Sequence, residues 1–389
     1  MSNVPANEIR LAELIGALSQ ALDMTEGQPR GHCIRVCWIG FNLGKAIGYS
    51  ADELSDLYYT LLLKDLGCSS NAARICQLYL TDDQAFKRDF KLMNGSLPQA
   101  LRFVLGHTGL TASTADRFRA IDQSSQIALL AQVADVFYMA NGRDAAMREI
   151  EARSTTWFDP TLVDVFAALA DDDAFWATLA APDLKAQVIA LEPQDLHRTA
   201  DEDYLDDIAQ AFAKVIDAKS PFTSGHSERV ALYTDLIAEN LGETRPNRRK
   251  FRRAALLHDI GKLGISNTIL DKSSKLEADE LLVMRQHPVF SRDILASLPV
   301  FADMAQVGLC HHEKLDGSGY PYGLSGSQIS RATRIVTVAD IFDALSAARP
   351  YRPALPLPQV FAIMAADAGT ALDADCFAAL TRSMQKAAA

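Results

Sequence analysis

The sequence predicts an all-α protein made of two helical bundles in tandem. Three observations carry that expectation. Apolar residues recur at three- and four-residue spacing along most of the chain, strand-like alternation is scarce, and an internal repeat relates the two halves. A length of 389 residues suits two domains of ordinary size. With 49% hydrophobic and 22% charged residues, the chain has the composition of a globular protein with a sizeable core and not of a disordered one.

Helical periodicity is clearest over residues 9–22, 205–218, 230–240 and 332–346. The glycine-rich exception, Asp316-Gly317-Ser318-Gly319-Tyr320-Pro321-Tyr322-Gly323, reads as a loop. The repeat appears in four matches in the same order. Gly31-His32-Cys33-Ile34-Arg35-Val36 resembles Gly225-His226-Ser227-Glu228-Arg229-Val230, and Leu62-Leu63-Lys64-Asp65-Leu66-Gly67 resembles Leu256-Leu257-His258-Asp259-Ile260-Gly261. The step from His32 to Lys64 equals that from His226 to His258, 32 residues each. Val133-Ala134-Asp135-Val136-Phe137 is set against Val338-Ala339-Asp340-Ile341-Phe342, and Phe158-Asp159 against Leu372-Asp373. The boundary is expected between Pro182 and Asp203, in a linker that keeps some helical periodicity, giving domains of residues 1–197 and 198–389.

Charge and composition exclude several function classes. Thirty-eight basic against 49 acidic residues give a net charge of -11, so no basic excess exists to meet a nucleic-acid polymer. A local basic cluster for a small anion remains compatible with that balance. The six cysteines form no CxxC pair and read as reduced thiols of a cytoplasmic protein. The first residues lack signal-peptide order, and no uninterrupted apolar run of about 18 residues occurs, so no membrane span is expected.

The second half concentrates chemistry-bearing residues: His226, His258, Asp259, His287, His311, His312 and Asp340. Five of the eight histidines in the chain are in that set. Asp259 follows Ala-Ala-Leu-Leu, and Asp340 sits within Val-Thr-Val-Ala-Asp-Ile-Phe, where a carboxylate is costly unless paired or bound to metal. Imidazoles with carboxylates suit iron, manganese, zinc or cobalt, and the absence of thiolates argues against a structural zinc site. His258 and Asp259, about 100° apart on a helix, suit two metals or a bridge between them. Lys262, four residues after His258, shares its face and suits proton donation or a phosphate oxygen.

His258-Asp259-Ile260-Gly261-Lys262 resembles the HDxGK signature of the HD phosphohydrolase superfamily. His311-His312-Glu313-Lys314-Leu315-Asp316-Gly317-Ser318-Gly319-Tyr320-Pro321 resembles the HHExxDGxGYP signature of HD-GYP proteins, and the likeness extends over about residues 205–385. The resemblance implies an HD-GYP domain after an HD-like domain, and a metal-dependent phosphodiesterase that hydrolyses the bacterial second messenger cyclic di-GMP. It implies that His226, His258, Asp259, His287, His311, His312 and Asp340 ligate metal, with Asp259 bridging. It implies further that Lys262 assists the leaving oxygen and that Tyr320, Arg349 and Arg352 meet the substrate. Some members carry a glutamate four residues before the first histidine for a third metal. Phe222 stands there, so two divalent ions are expected, iron or manganese first, with zinc, cobalt or nickel as alternatives. A metal pair that lowers the pKa of water from 15.7 to about 7 would supply the nucleophile.

The first half keeps His32, Asp65 and Asp135, but has Lys64 for the signature histidine, Cys68 for the signature lysine and no Gly-Tyr-Pro loop; His107 is a weak match to His287. It is expected to be a degenerate, non-catalytic bundle in which Lys64 is held by Asp65 or Asp135. Two other functions stay open: a phosphodiesterase for another cyclic dinucleotide such as cyclic GMP-AMP, and a non-catalytic signalling adaptor. A homodimer or a signalling protein also stays open as a partner.

Overall fold

The computed structural model describes residues 8–9, 11–25, 27–65, 123–192, 198–199, 201–348 and 352–388. They divide into two compact units, one ending at Thr199 and the other beginning at Asp201. Both are helical. The one strand pairing among the described residues joins Glu8–Ile9 to Arg198–Thr199, antiparallel. No described helix is long and apolar enough to cross a membrane.

The first unit is built around the helix His32–Ala46, which packs against Gln123–Asn141 and Ala51–Leu63. That close approach depends on glycine. A Cβ at Gly40 would meet Leu61 at 2.7 Å, and one at Gly44 would meet Leu57 at 2.5 Å. Ser50 and Glu53 start Ala51–Leu63 with a capping box. Leu57, Tyr58, Leu61, Ile127, Leu130 and Phe166 are fully buried in the shared core. Each such side chain contributes about 1.5–3 kcal/mol of burial energy. The expected linker holds a further helix, Leu184–Ala190, which packs on His32–Ala46.

The second unit repeats the plan. The helix His226–Asn240 is central and packs against Arg245–Leu257, Arg331–Ser346 and Ala374–Ala388. Asp201 caps the entering helix Glu202–Asp217 by accepting from Tyr204 N at 2.8 Å. The buried Arg253 guanidinium ties that helix to Arg245–Leu257 through Asp206 and Glu202. After Arg245–Leu257 the chain tightens into a 3₁₀ turn, Ile260–Gly264, pressed on the helix His287–Ala296. Any side chain at Gly261 would strike the His287 carbonyl oxygen, 2.0 Å from an added Cβ. The glycine of the His-Asp-x-Gly-Lys run is therefore a packing requirement.

The two units share bonding as well as topology. Each central helix is preceded by a glycine in the left-handed region, Gly31 at φ 86° and Gly225 at φ 67°. Ten residues before the second helical position stands an aspartate that accepts from it. Asp23 takes the Cys33 N–H at 2.8 Å, and Asp217 takes the Ser227 N–H at 3.2 Å. In both, the first histidine and the arginine three residues on share one buried aspartate. His32 Nδ1 and Arg35 Nε lie 2.6 and 2.5 Å from Asp135, while His226 Nδ1 and Arg229 Nε lie 2.7 and 2.6 Å from Asp343. The turns before Asp159 and Asp373 also match, with Ser154 bridged to Phe158 and Ala368 to Leu372.

This pairing corrects the sequence register at one place. Asp135 is the counterpart of Asp343, not of Asp340. The residue equivalent to Asp340 is Gln132, one helical turn earlier, whose amide lies 3.4 Å from Asp65. The identical Val-Ala-Asp letters match one turn out of step, because a three-residue slip keeps the same helix face.

Candidate metal and phosphodiester site

Element ends converge on one point of the second unit. His226 and His287 are the first residues of their helices, and His258 and His311 follow the last residues of Arg245–Leu257 and Ala305–Cys310. Asp259 leads into the 3₁₀ turn, and Asp340 points in from the middle of Arg331–Ser346. All are buried except His312, which is half-buried. The structure thus brings together every metal ligand that the resemblance implies.

The donors fall into two groups joined by Asp259. His226, His258 and Asp259 form one close triad, and His287, His311 and His312 another. Asp259 Oδ2 lies 3.4 Å from His226 Nε2 and 3.3 Å from His258 Nε2. Its Oδ1 faces the other way, 3.4 Å from His287 Nε2 and 3.6 Å from His311 Nε2. Asp340 Oδ1 completes the first group at 3.4 Å from His226 Nε2.

Hydrogen bonding of the outer ring nitrogens decides what these atoms can do. Nδ1 of His258, His287 and His311 donates to the carbonyls of Ala255, Met284 and Gly308 at 2.7, 2.7 and 2.8 Å. Nδ1 of His226 faces Asp343. With the proton on Nδ1, a neutral ring at His258, His287 or His311 turns an Nε2 lone pair inward. His287 Nε2 then meets His311 Nε2 at 3.4 Å, lone pair toward lone pair, and lies 3.2 Å from His312 Nε2. His226 Nε2, His258 Nε2 and Asp259 Oδ1 are buried without any hydrogen-bond partner. Orphaned acceptors at such density are costly unless a cation satisfies them. The nitrogen and oxygen donors, with His226, His258, His287 and His311 each braced through Nδ1, fit divalent transition metals.

The electrostatics agree. Burial opposes the charge on Asp259, yet the His258 and Lys262 charges hold its carboxyl well below the usual range. Burial pushes His287 down to about 3, so that ring keeps its lone pair. Burial also pulls His226 down, but the carboxylates of Asp259, Asp343 and Asp340 prevail and lift it to about 9, so this ring is drawn to its charged form wherever no cation faces its Nε2. Around the two aspartates the protein therefore calls for positive charge.

Substrate-facing groups surround this centre. Lys262 Nζ lies 2.5 Å from Asp259 Oδ2 and reaches solvent. The Tyr320 ring stacks on His312, centroids 4.7 Å apart and planes 22° apart, with the Arg285 guanidinium 5.1 Å from its centre. Glu313, which the sequence marked only as a motif letter, is buried and shapes the loop. It accepts from Tyr322 N at 2.7 Å and Leu324 N at 2.9 Å. Gly319 is required because an added Cβ would lie 2.5 Å from His312 O and from Lys314 N. A cavity of about 570 Å³ opens here, bordered by His287, His312, Asp340 and Tyr320, with Lys262, Lys272, Lys275 and Arg352 as its cations. Phe222 lies on its wall with no ligating atom. Arg352 differs from expectation: its guanidinium donates to the carbonyls of Ala344 at 2.7 Å and Leu345 at 3.1 Å, closing the end of Arg331–Ser346 while bordering the cavity. Arg349 lies outside the described residues.

Two carboxylates went unnoticed in the sequence. Asp343 orients His226 and is gripped by Arg229, and Asp217 anchors the turn before His226. The signal was there in part: Asp343 stands one turn after Asp340, and Arg229 one turn after His226.

In the first unit the same frame holds other residues. Lys64 is ion-paired to Asp65, both almost wholly buried, and its Nζ lies 3.8 Å from Cys33 Sγ. Burial disfavours the Lys64 charge, but Cys33 and Asp65 push its pKa up. Of the two partners expected for Lys64 it is Asp65 that holds it, while Asp135 is occupied by His32 and Arg35. Cys68 and His107 lie outside the described residues.

Comparison with known proteins agrees with this reading. The HD domain family matches residues 210–376. The chain is 45% identical to 3'3'-cGAMP-specific phosphodiesterase 3 of Vibrio cholerae, over 98% of this chain and 96% of that protein. It is 41% identical to the cyclic di-GMP phosphodiesterase response regulator RpfG of Xanthomonas campestris, but over only 44% of this chain and 46% of that protein. The crystal structure of a cyclic GMP-AMP-specific phosphodiesterase of V. cholerae superposes with a TM-score of 0.64 at 40% identity, covering 97% of this chain and 98% of that one. Full-length likeness, the His-Asp and Gly-Tyr-Pro signatures and the converging donors together place this chain in the HD-GYP family of the HD superfamily, the metal-dependent phosphodiesterases.

Proposed function

We propose that the second unit hydrolyses a cyclic dinucleotide and prefers 3′3′-cyclic GMP-AMP to cyclic di-GMP. The observation that carries the preference is coverage. The relatives alike over both units are named for cyclic GMP-AMP, whereas RpfG aligns with less than half of the chain. The expectation of cyclic di-GMP drawn from the signature motifs gives way to the alternative, because those motifs contain nothing that reads a base.

His226, His258, Asp259 and Asp340 would hold one ion, and His287, His311 and His312 with the other oxygen of Asp259 a second. Phe222 in place of a carboxylate supports two ions and not three. Bound metal supplies a water made acidic enough to attack at neutral pH and offsets charge on the phosphoryl oxygens. The remaining steps belong to side chains of the protein. Lys262, exposed on one side and held by Asp259 on the other, stands where a leaving oxygen needs a proton. Lys272, Lys275 and Arg352 give the cavity the charge to receive two phosphates, and Tyr320 offers a ring edge beside His312. Asp343 and the three backbone carbonyls fix the rings so that no reorganisation is needed at the reaction. The first unit, with Lys64 and Gln132 where the second has His258 and Asp340, is non-catalytic in this reading.

The test compares kcat/KM of the metal-loaded protein on the two cyclic dinucleotides. The proposal expects at least about a tenfold advantage for 3′3′-cyclic GMP-AMP, a difference of about 1.4 kcal/mol in transition-state binding. Equal values, or an advantage for cyclic di-GMP, would overturn it.

A further inference from the structure

Four of the five histidines at the centre are oriented by a hydrogen bond at Nδ1, His226 by Asp343 and His258, His287 and His311 by backbone carbonyls. His312 is different. Among the described residues nothing bonds to its Nδ1, and its ring is half-buried. Yet its Nε2 is brought to 3.2 Å from that of His287. Outer contacts set both the orientation of a ligand and its affinity for metal, so a contact of another kind has to fix this ring.

Tyr320 is that contact, and it is tied to His312 twice. Its N–H donates to the His312 carbonyl at 3.2 Å, and its ring lies on the imidazole with centroids 4.7 Å apart and planes 22° apart. The backbone bond keeps the tyrosine near but leaves its ring free to change rotamer. Arg285 supplies the constraint on the ring. Its guanidinium lies over the aromatic face, 5.1 Å from the centre, where the ring quadrupole attracts a cation. Among the described residues the Arg285 side chain has no carboxylate or carbonyl partner. By contrast, Lys262 and Lys272 are ion-paired to Asp259 and Glu280, and Arg352 is bound to carbonyls. Arg285 follows the helix Ala278–Met284 and stands two residues before His287. Its contact therefore joins the helix that starts at His287 to the loop that follows His312, and these two histidines belong to one donor group. Farther along the same helix Arg292 Nη1 donates to Tyr322 OH at 2.9 Å, a second tie between helix and loop.

We infer that Arg285 is a positioning residue of the metal site, holding Tyr320 flat on His312 and so fixing the one ligand ring that no hydrogen bond orients. The inference rests on the assignment of His287, His311 and His312 to one ion. It does not depend on which dinucleotide is the substrate, because the stack uses the ring face of Tyr320 and leaves its hydroxyl unused. Charge and position act in opposite directions here. A cation near the metal ions repels them, so by charge alone the loss of Arg285 would tighten metal binding. Loss of a positioning residue weakens it.

The experiment titrates metal-free, full-length protein with Mn²⁺ and follows the free ion by electron paramagnetic resonance. Denaturant unfolding of each metal-free variant is measured beside it. Wild-type protein is expected to bind two ions. Tyr320→Leu is expected to weaken one of them by at least about tenfold and to leave the other and the metal-free stability unchanged. Tyr320→Phe, which keeps the stack, is expected to bind both within about twofold of wild type, and Arg285→Met to weaken the same ion by about three- to fivefold. Arg285→Lys, which keeps a cation over the ring, is expected to recover most of that loss. Two ions bound by the wild type with unchanged affinities in Tyr320→Leu, or tighter binding in Arg285→Met, would overturn the inference and leave the ion assignment standing. Equal losses in Tyr320→Phe and Tyr320→Leu would overturn it by moving the role to the hydroxyl. A wild type that binds fewer than two ions would overturn the assignment of His287, His311 and His312 to an ion, and the inference with it.

Discussion

The first and second units hold the same outer frame around different contents. Each has an aspartate ten residues ahead, a left-handed glycine, a histidine, an arginine one turn later and a buried aspartate that grips both. Inside that frame the second unit turns unsatisfied histidine nitrogens toward Asp259, whereas the first puts the Lys64 ammonium on Asp65. The difference teaches that the frame belongs to the fold and the inner donors to the chemistry. A buried carboxylate needs positive charge in either case. The first copy supplies it with Lys64, whereas the second has Lys262 on one oxygen of Asp259 and still leaves the other oxygen, with His226 Nε2 and His258 Nε2, unsatisfied. The frame recurs in the first unit, whose described residues hold no such donor cluster, which marks Asp135 and Asp343 as structural residues first, with the orienting of His226 as a further task of Asp343.

Substitutions at paired positions can break this comparison. The largest contrast is expected for the signature aspartates. Asp259→Ala should lower turnover of cyclic dinucleotide by more than about a hundredfold, since loss of an outer partner alone costs 10–100-fold. Asp65→Ala should leave turnover unchanged. Steady-state rates and metal content of both variants decide it, and an active Asp259→Ala protein with metal still bound would remove Asp259 from the centre.

Next comes the frame. Asp343→Asn should lower metal affinity by about 10–100-fold, because the His226 ring loses its brace. Asp135→Asn should leave metal affinity untouched and show its effect in stability. His32 and Arg35 hold the Asp135 carboxyl below the usual carboxylate range against the penalty of burial. A depressed folded value means that its contribution is complete above the unfolded pKa of about 3.9 and is lost as pH falls through the lower folded value. Wild-type protein should therefore lose this increment only in acid, and Asp135→Asn should flatten that part of the stability–pH curve. A curve unchanged by the substitution would contradict the pairing.

The two lysines give a third contrast. Lys64→Met should destabilise the protein by about 3 kcal/mol by leaving Asp65 buried without its partner, read by denaturant unfolding. Lys262→Met, at a partly exposed position, should leave stability nearly unchanged and reduce kcat. The smallest effect is expected at Arg352, already committed to two backbone carbonyls. Arg352→Ala should raise KM severalfold with metal content constant, and an unchanged KM would confine it to closing the helix end.

Much of this was legible in the sequence, for physical reasons. Helices announce themselves by apolar period, and a His-Asp run in an apolar setting has few inexpensive explanations. The ligands were legible because histidine is rare in this chain and five of its eight gather in one region. The register of the first copy was not, because Gln132 and Asp135 share a helix face and only the hydrogen bonds to His32 and Arg35 separate them. Glu313, Asp217 and Asp343 were hidden because a carboxylate that braces backbone or a ring has no local pattern of its own. Substrate identity was out of reach of the motifs, which contain metal and phosphate chemistry but no base contact.

The most direct test of the two-copy account converts one copy into the other. His258→Lys places in the second unit the residue that the first has at Lys64. Metal content of wild-type and variant protein, purified identically, is the measurement. The account predicts bound transition metal in the wild type and none in a folded His258→Lys protein, because an ammonium would occupy the place of the ion beside Asp259. Undiminished metal in the variant, or metal in the wild type that survives it in the first unit, would contradict the assignment of the chemistry to the second unit alone.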